Sequence, residues 1–387
     1  MEELNRDAIT GLLHEKPKSP AITIYMPTHR AATPPHMTED QIRFKNLINK
    51  ALEMLKSRDD GSKIPDILQK RMGALLEDRS LWENQTEGLL LCVRPGTFRM
   101  FHLPLDTEEY VAVADHFHLA PVFGVLQDMQ EYYVLILAQH KPRLLQGNMY
   151  GLRPTDIALP ETLESGLNID EVPQVRELQS SAGGSSMNTG GYNGRGGAKD
   201  TADAERQRFW RMVDQAFLNK VDTKLPLILA GVASELAEYR AISRYPKILE
   251  QSIQGSFNGA PVQELFMPAL KIIRKEILNP THDQVIAEYK RAKGQAPQLA
   301  AHGVADIADA AEKGRVDKLL LADIRYTTDT VRDSTLPQPV LTFPPEESAQ
   351  AVNDIAYQVW NASGQIVDIE TGHMPERGAL MLATLRY

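Results

Sequence analysis

A glycine-rich stretch near the middle of the chain places the strongest limit on how this sequence can fold. Seven of the fifteen residues from Gly183 to Gly197 are glycine, and most of the others are small or polar. Such a segment buries too little apolar surface to offset the conformational entropy lost on ordering it. We therefore expect residues 181–199 to form a flexible loop, followed by an amphipathic helix from Thr201 to Asn219.

Length and composition predict more than one globular domain around this loop. Domains usually hold about 100–200 residues, so a chain of 387 residues predicts two or three of them. Apolar residues make up 42% of the chain and charged residues 24%, which is enough apolar surface for buried cores. The net charge of -9 disfavours general binding of nucleic acid, and DNA in particular. A local basic patch can still bind RNA, because salt screens charges beyond about 10 Å.

The distribution of cysteine and of apolar runs indicates the compartment. Cys92 is the only cysteine, so an internal disulfide is excluded, and its apolar surroundings predict a buried strand. Charges occur throughout Met1 to Lys16, and no apolar run approaches the roughly 20 residues that cross a membrane. These features predict a cytoplasmic protein with no membrane partner.

Apolar periodicity predicts an α/β (α+β) multidomain fold with domains at residues 1–125, 126–257 and 258–387. The first is predicted to be α+β, the second β-rich with the glycine loop and a long helix, and the third an α/β sandwich. The strands that we predict are 21–26, 88–93, 98–103, 132–138, 143–146, 225–232, 316–322, 365–369 and 379–386. The other predicted helices are 38–55, 64–76, 262–278, 283–292, 304–313 and 346–360.

Common catalytic motifs are absent from the sequence. There is no G-x-S-x-G, H-E-x-x-H, C-x-x-C or P-loop motif, so no cofactor is predicted. His116 and His118 are expected on one face of a strand, a spacing that can seat a metal ion. No third ligand can be identified, so a structural role is favoured and no metal site is predicted.

The junction between the glycine loop and the following helix resembles a known arrangement. The junction residues are Gly194, Arg195, Gly196, Gly197, Ala198 and Lys199, and the helix carries Arg206, Arg208 and Arg211. This order resembles the middle domain of class I archaeo-eukaryotic release factors, in which a Gly-Arg-Gly-Gly-Gln loop precedes a long helix. In that family the glycines let the backbone enter the peptidyl transferase centre, and the glutamine helps to position the water that hydrolyses peptidyl-tRNA.

Further motifs extend the resemblance towards both ends of the chain. In the third domain, Ala311 to Leu320 and the closing Ala383 to Tyr387 are similar to elements of the same superfamily. Near the N-terminus, Ile24 to Arg30, Arg43 to Leu47 and Phe117 to Pro121 most resemble the bacterial branch of this release factor and Pelota superfamily. The resemblance implies that the C-terminal domain has the fold of kink-turn-binding ribosomal proteins.

Two departures from the family pattern limit the function that the resemblance implies. Ala198 stands in the position of the glutamine, and a methyl group cannot orient water, so hydrolysis of peptidyl-tRNA is not expected. No counterpart of the Asn-Ile-Lys-Ser stop-codon loop is present. What the resemblance then implies is a ribosome-binding factor of rescue, quality control or hibernation that occupies the A site. The implied partners are rRNA and tRNA, and delivery by a translational GTPase stays open.

Several alternatives remain open at this point. The candidate RNA-binding residues are Arg195, Lys199, Arg206, Arg208 and Arg211, and a solvated helix face explains them equally well. A metal-dependent nuclease or another hydrolase could use Asp200, Asp203 and Glu205, although these carboxylates also suit the positive end of a helix. A third alternative is a protein-interaction module whose glycine loop folds only on its partner.

Overall fold

The computed structural model describes residues 1–13, 20–30, 33–56, 64–138, 141–162, 195–323, 340–341 and 346–387. They form two compact units. Unit 1 combines Met1–Met129 with Leu278–Tyr387, and unit 2 is Gln130–Ile277. The division into three domains stays a prediction, and in the structure the two terminal segments contribute to one unit. No helix within the described ranges is both long and apolar enough to cross a membrane.

The N-terminal part of unit 1 is a five-stranded sheet with helices. Its strands are β1 (Glu2–Glu3), β2 (Ala21–Pro27), β3 (Gly88–Arg94), β4 (Thr97–Leu103) and β6 (Tyr110–Ala114), and a short β5 (Asp106–Thr107) lies outside this sheet. Its helices are α1 (Arg6–Leu13), α2 (Pro34–Lys56), α3 (Ile64–Glu77), α4 (Arg79–Glu83) and α5 (Ala120–Gln127). The strand order is β1-β4-β3-β2-β6, with β1 parallel to β4 and the other neighbours antiparallel.

Continuous apolar runs explain the centre of this sheet. The strands β2 and β3 are buried along nearly their whole length, as expected for strands covered on both faces. The α2 helix buries Phe44 against the edge of the Trp82 ring, with the ring centroids 5.4 Å apart. Cys92 is buried in β3, which confirms the prediction made from its apolar neighbours.

Unit 2 is a mixed five-stranded sheet with helices. Its strands are β7 (Tyr132–Ile136), β8 (Arg143–Asn148), β9 (Gly151–Pro154), β10 (Leu227–Gly231) and β11 (Ile248–Gln254). Its helices are α6 (Arg195–Leu218), α7 (Ala233–Ile242) and α8 (Gln263–Ile273). The order is β11-β10-β7-β8-β9, in which β11, β10 and β7 are parallel and the hairpin of β8 and β9 is antiparallel.

The C-terminal part of unit 1 is a four-stranded sheet with helices, which confirms the mixed α/β character of the chain. Its helices are α9 (Asn279–Gln295), α10 (Val304–Glu312) and α11 (Glu346–Asn361). Its strands are β12 (Ala300–His302), β13 (Val316–Asp323), β15 (Gln365–Glu370) and β16 (Met381–Leu385), and a short β14 (Val340–Leu341) pairs with β5. The order is β12-β16-β13-β15. Gly314 follows α10 with a φ of 64°, a backbone conformation that glycine adopts without strain and that ends the helix as predicted.

The helices predicted at 262–278 and 283–292 form one helical run. The α8 helix continues into a π-helical segment, Arg274–Leu278, and then directly into α9. Pro280 lies inside this run, directly after the π-helical segment, although proline supplies no N–H to a helix. The break expected near residues 279–282 is therefore wrong.

One buried amide joins α11 to the start of α5 within unit 1. The Asn353 side chain is 2% exposed, and its Oδ1 accepts hydrogen bonds from the backbone N–H groups of Leu119 (2.8 Å) and Ala120 (3.1 Å). Its Nδ2 donates to the carbonyl oxygen of Phe117 at 3.1 Å. Asn353 thus satisfies N–H groups at the N-terminus of α5 that have no partner within the helix.

Candidate nucleic-acid interface

The α6 helix carries most of the site residues that the sequence predicts, and it begins earlier than expected. It starts at Arg195, six residues before Thr201, so the last five residues of the predicted loop are helical. The expectation that the loop extends to residue 199 is wrong at this end. Each glycine in a helix costs only about 1 kcal/mol relative to alanine, and helix formation is cooperative once a nucleus exists.

Part of the predicted junction lies outside the residues that the structure describes. Gly194 is not among the described residues. Gly196, Gly197 and Ala198 are described as helical backbone, while the side chains of residues 195–203 lie outside the described part.

Apolar side chains fix the orientation of α6 on its sheet. Phe209, Trp210, Val213 and Phe217 are buried in the core of unit 2. The Trp210 ring meets the Tyr239 ring of α7 edge to face, with the centroids 6.2 Å apart and the planes at 88°. Because this face of the helix is buried, the exposed residues Arg208, Arg211 and Gln215 point away from the core.

Arg206 is held by an intramolecular ion pair. Its Nε donates to both carboxylate oxygens of Glu238 on α7, each at 3.2 Å. Trp210 Nε1 also points towards this carboxylate, at 3.4 Å. An arginine bound in this way stabilises the packing of α6 on α7, and contact with an external phosphate would have to compete with Glu238.

Arg208 and Arg211 face the solvent on the part of α6 whose side chains are described. Both are exposed, and neither forms an ion pair with any carboxylate that the structure describes. They stand three residues apart, so their side chains lie next to each other along the helix. The outer face of α6 therefore presents two neighbouring positive charges on a protein whose net charge is -9.

A buried polar cluster that the sequence did not indicate anchors the same helix. The Asp214 carboxylate is 2% exposed and accepts hydrogen bonds from Tyr239 Oη at 2.8 Å and Ser243 Oγ at 2.5 Å. The backbone N–H of Arg244 donates to its other oxygen at 3.2 Å. Burial raises the pKa of the Tyr239 hydroxyl well above its usual value, so this group stays a donor. The sequence did not indicate that Asp214 is buried, because an Asp in an amphipathic helix usually lies on its polar face.

Of the three residues proposed for a metal-dependent activity, only Glu205 has a described side chain. Glu205 is exposed, and the side chains of Asp200 and Asp203 lie outside the described part. Among the described residues, no group of three or more His, Cys, Asp or Glu side chains is suited to hold a metal ion.

The expectation that His116 and His118 share one face of a strand is wrong. The strand β6 ends at Ala114, before both residues. The ring of His116 packs against Tyr357, whereas the ring of His118 packs against Tyr110. Burial lowers the pKa of His118 to about 4, so this imidazole is neutral at physiological pH.

The middle of the chain matches the model of one protein family. Residues 131–315 match the model of bacterial archaeo-eukaryotic release factor family 3. The matched segment contains nearly all of unit 2, including α6, and continues through α10. Among proteins with curated descriptions, none matches the sequence.

Several solved structures are similar to the chain at low sequence identity. An archaeal translation termination factor, aRF1, is 14% identical, with 100% of this chain and 99% of that chain covered and a TM-score of 0.25. Pelota of Archaeoglobus fulgidus is 14% identical, with 77% and 79% covered and a TM-score of 0.33. Dom34 of S. cerevisiae, described as a translation termination-like factor involved in RNA quality control pathways, is 10% identical, with 75% and 72% covered and a TM-score of 0.32.

At these TM-scores the similarity carries no argument about function, so the assignment depends on the family match. The matched segment supports a ribosome-associated translation factor of release factor type. Over residues 131–315, this chain is similar to bacterial archaeo-eukaryotic release factor family 3.

Proposed function

We propose that this protein binds the ribosomal A site as a rescue, quality control or hibernation factor and does not hydrolyse peptidyl-tRNA. The observation that carries the proposal is the family match over residues 131–315, which includes α6 and its exposed arginines. Its partner is the ribosome, which it contacts through rRNA. There it fills the tRNA-sized space next to the peptidyl-tRNA. Delivery by a translational GTPase stays a prediction.

Arg208 and Arg211 are the residues that make the contact with rRNA phosphates. Both side chains are exposed and lie one turn apart on a helix whose other face is buried, so they are presented on a rigid support. Guanidinium groups bind phosphate oxygens with two parallel hydrogen bonds, which gives both charge and direction. Arg206 contributes indirectly, because its ion pair with Glu238 holds α6 in place.

The absence of hydrolysis follows from the residue at the family's glutamine position. Ala198 occupies that position in the first turn of α6 and offers neither a hydrogen-bond donor nor an acceptor on its side chain. A water molecule near the ester bond of peptidyl-tRNA would have no amide to orient it. The protein is therefore a factor that occupies its site without releasing the peptide.

Sedimentation with ribosomes tests the binding. We expect the protein to sediment with idle or stalled ribosomes at low salt, and the double variant Arg208→Glu, Arg211→Glu to bind about tenfold or more weakly. The matched control is Arg153→Glu, Lys224→Glu, which makes the same charge change at two exposed residues of unit 2 outside α6. Absence of the protein from ribosomal fractions at low salt, with idle and with stalled ribosomes, would end the proposal.

Peptide release tests the chemistry separately. Purified protein mixed with ribosomes that carry labelled peptidyl-tRNA should release no more peptide than the buffer does. The variant Ala198→Gln is the informative comparison, because it restores the family's side chain at this position. Release by the natural protein that is abolished by Gly196→Val or Gly197→Val would mean that another residue replaces the glutamine.

A further inference from the structure

A pocket in the N-terminal part of unit 1 has the composition of an anion site. Its volume is about 610 Å³, within the range of pockets that hold small molecules. One wall is α3, and the other is the turn between β3 and β4. The residues that line it are Ile67, Lys70, Arg71, Ala74, Leu75, Arg94, Gly96, Thr97 and Phe98.

The spacing on α3 explains how one helix supplies a whole wall. Its five lining residues follow the i, i+3, i+4, i+7, i+8 pattern, which brings them to a single face. Ile67, Ala74 and Leu75 form an apolar surface on this face, and Lys70 and Arg71 stand between them. The wall thus combines apolar area with two positive charges.

Two cations of α3, Lys70 and Arg71, stand at this apolar surface. The lining residues include Lys70, Arg71 and Arg94, and none of the described lining residues carries a carboxylate. Within the described part of the chain, Lys70 and Arg71 form no ion pair. On a protein with a net charge of -9, the charges of Lys70 and Arg71 at one pocket create a local field that attracts an anion.

Two of these cations are positioned by aromatic rings. The guanidinium of Arg71 lies 4.4 Å from the centroid of Phe98, and that of Arg94 lies 4.7 Å from the centroid of Phe117. Arg94 is 4% exposed and donates from Nη2 to the carbonyl oxygen of Asp115 at 2.9 Å, so its charge is held in the pocket wall. Arg71 is exposed, so a second planar group can stack on the guanidinium face opposite Phe98.

The turn between the strands leaves room for a ligand to approach the backbone. Gly96 has a φ of 90°, which glycine adopts without strain, and a Cβ built there would meet no atom within 4 Å. Open space therefore lies above the turn at the mouth of the pocket.

We propose that this pocket binds a nucleoside phosphate, either a free mononucleotide or an unpaired nucleotide of an RNA. The base stacks on the Arg71 and Phe98 pair against the apolar face of α3, and the phosphate is held by Lys70. This site lies in unit 1 and does not depend on the proposed function of α6 in unit 2. A nucleotide is favoured over a purely aliphatic acid because stacked guanidinium and ring planes match the planar face of a base.

Calorimetric titration of the full chain with AMP, adenosine and inorganic phosphate at low ionic strength tests the site. We expect saturable binding of AMP, with adenosine and phosphate each weaker by about tenfold or more, because each supplies only half of the contacts. Failure of AMP, GMP, CMP and UMP all to bind, or phosphate binding as tightly as AMP, would overturn the proposal.

Two variants with different chemistry locate the ligand. Lys70→Glu, Arg71→Glu reverses the charge, and Ala74→Trp fills the space without changing the charge; Lys70, Arg71 and Ala74 are all exposed. Each variant should weaken AMP binding by about tenfold or more, whereas the control Lys45→Glu, Lys50→Glu on α2 should not. AMP affinity that is equal in natural protein, Ala74→Trp and the charge reversal would place the ligand elsewhere.

A 5′-phosphorylated triadenylate distinguishes the two sources of the ligand. If it binds about tenfold more tightly than AMP and Ala74→Trp removes this binding, an RNA strand is the occupant. If it binds no more tightly than AMP, the occupant is a free nucleotide. These titrations contain no ribosomes, so their failure leaves the sedimentation result unaffected.

Discussion

Asn353 provides the sharpest test of how unit 1 is held together. Its amide accepts hydrogen bonds from the backbone N–H groups of Leu119 and Ala120 and donates one to the carbonyl oxygen of Phe117. These partners are 233 to 236 residues away in sequence. We predict that Asn353→Ala destabilises unit 1 far more than its position on a surface helix would suggest.

The magnitude follows from the groups that lose their partner. The substitution leaves two N–H donors and one carbonyl oxygen buried without Asn353, at about 1–3 kcal/mol for each buried polar group. Water that enters the space vacated by the amide recovers part of this cost. We therefore expect the free energy of unfolding of unit 1 to fall by about 3 kcal/mol or more.

Urea unfolding followed by tryptophan fluorescence measures this effect. The chain has three tryptophans, and Trp82 and Trp360 lie in unit 1, so a Trp210→Phe background restricts the signal to that unit. The control is Gln350→Ala on the same helix, whose exposed side chain donates a hydrogen bond to Asp354. If Asn353→Ala and Gln350→Ala differ by less than about 1 kcal/mol, the amide does not hold α11 and α5 together.

Two further predictions concern buried polar groups. Burial lowers the pKa of His118 to about 4, against about 6.5 in the unfolded chain. The stability that the neutral imidazole contributes is therefore complete above pH 6.5 and is lost as the pH falls towards 4. Natural protein should lose about 3 kcal/mol over this interval relative to His118→Phe, and parallel pH profiles of the urea midpoint would contradict the assignment. Asp214→Ala leaves the Tyr239 and Ser243 hydroxyls without their acceptor. The free energy of unfolding of unit 2 should therefore fall by about 3 kcal/mol, measured by Trp210 fluorescence, and a fall below about 1 kcal/mol would refute this prediction.

Elements with strong apolar periodicity were predictable, and those defined by distant partners were not. The helix predicted at 38–55 is Pro34–Lys56, and the strands of the first hairpin agree within one residue. The helix α5 was missed because its sequence is apolar throughout and its first N–H groups are satisfied by Asn353. The break between the helices predicted at 262–278 and 283–292 was wrong, because apolar periodicity does not show that a helix continues through a π-helical segment.

The candidate interface divides in the same way. Sequence identified α6 together with Arg206, Arg208 and Arg211, because charge and periodicity are local properties. It could not show that Glu238 on α7 binds Arg206 while Arg208 and Arg211 stay exposed. That distinction depends on how α7 packs against α6.

What the sequence determined by itself is the mixed α/β class, most of the strands and helices, and the resemblance to release factors that the family match supports. What only the tertiary structure decided is which polar groups are buried, which arginines are paired, and where α3 and the β3–β4 turn enclose a cationic pocket. The physical reason is the separation along the sequence between the residues that interact. Secondary structure follows from interactions a few residues apart, whereas burial and pairing depend on residues that only folding brings into contact.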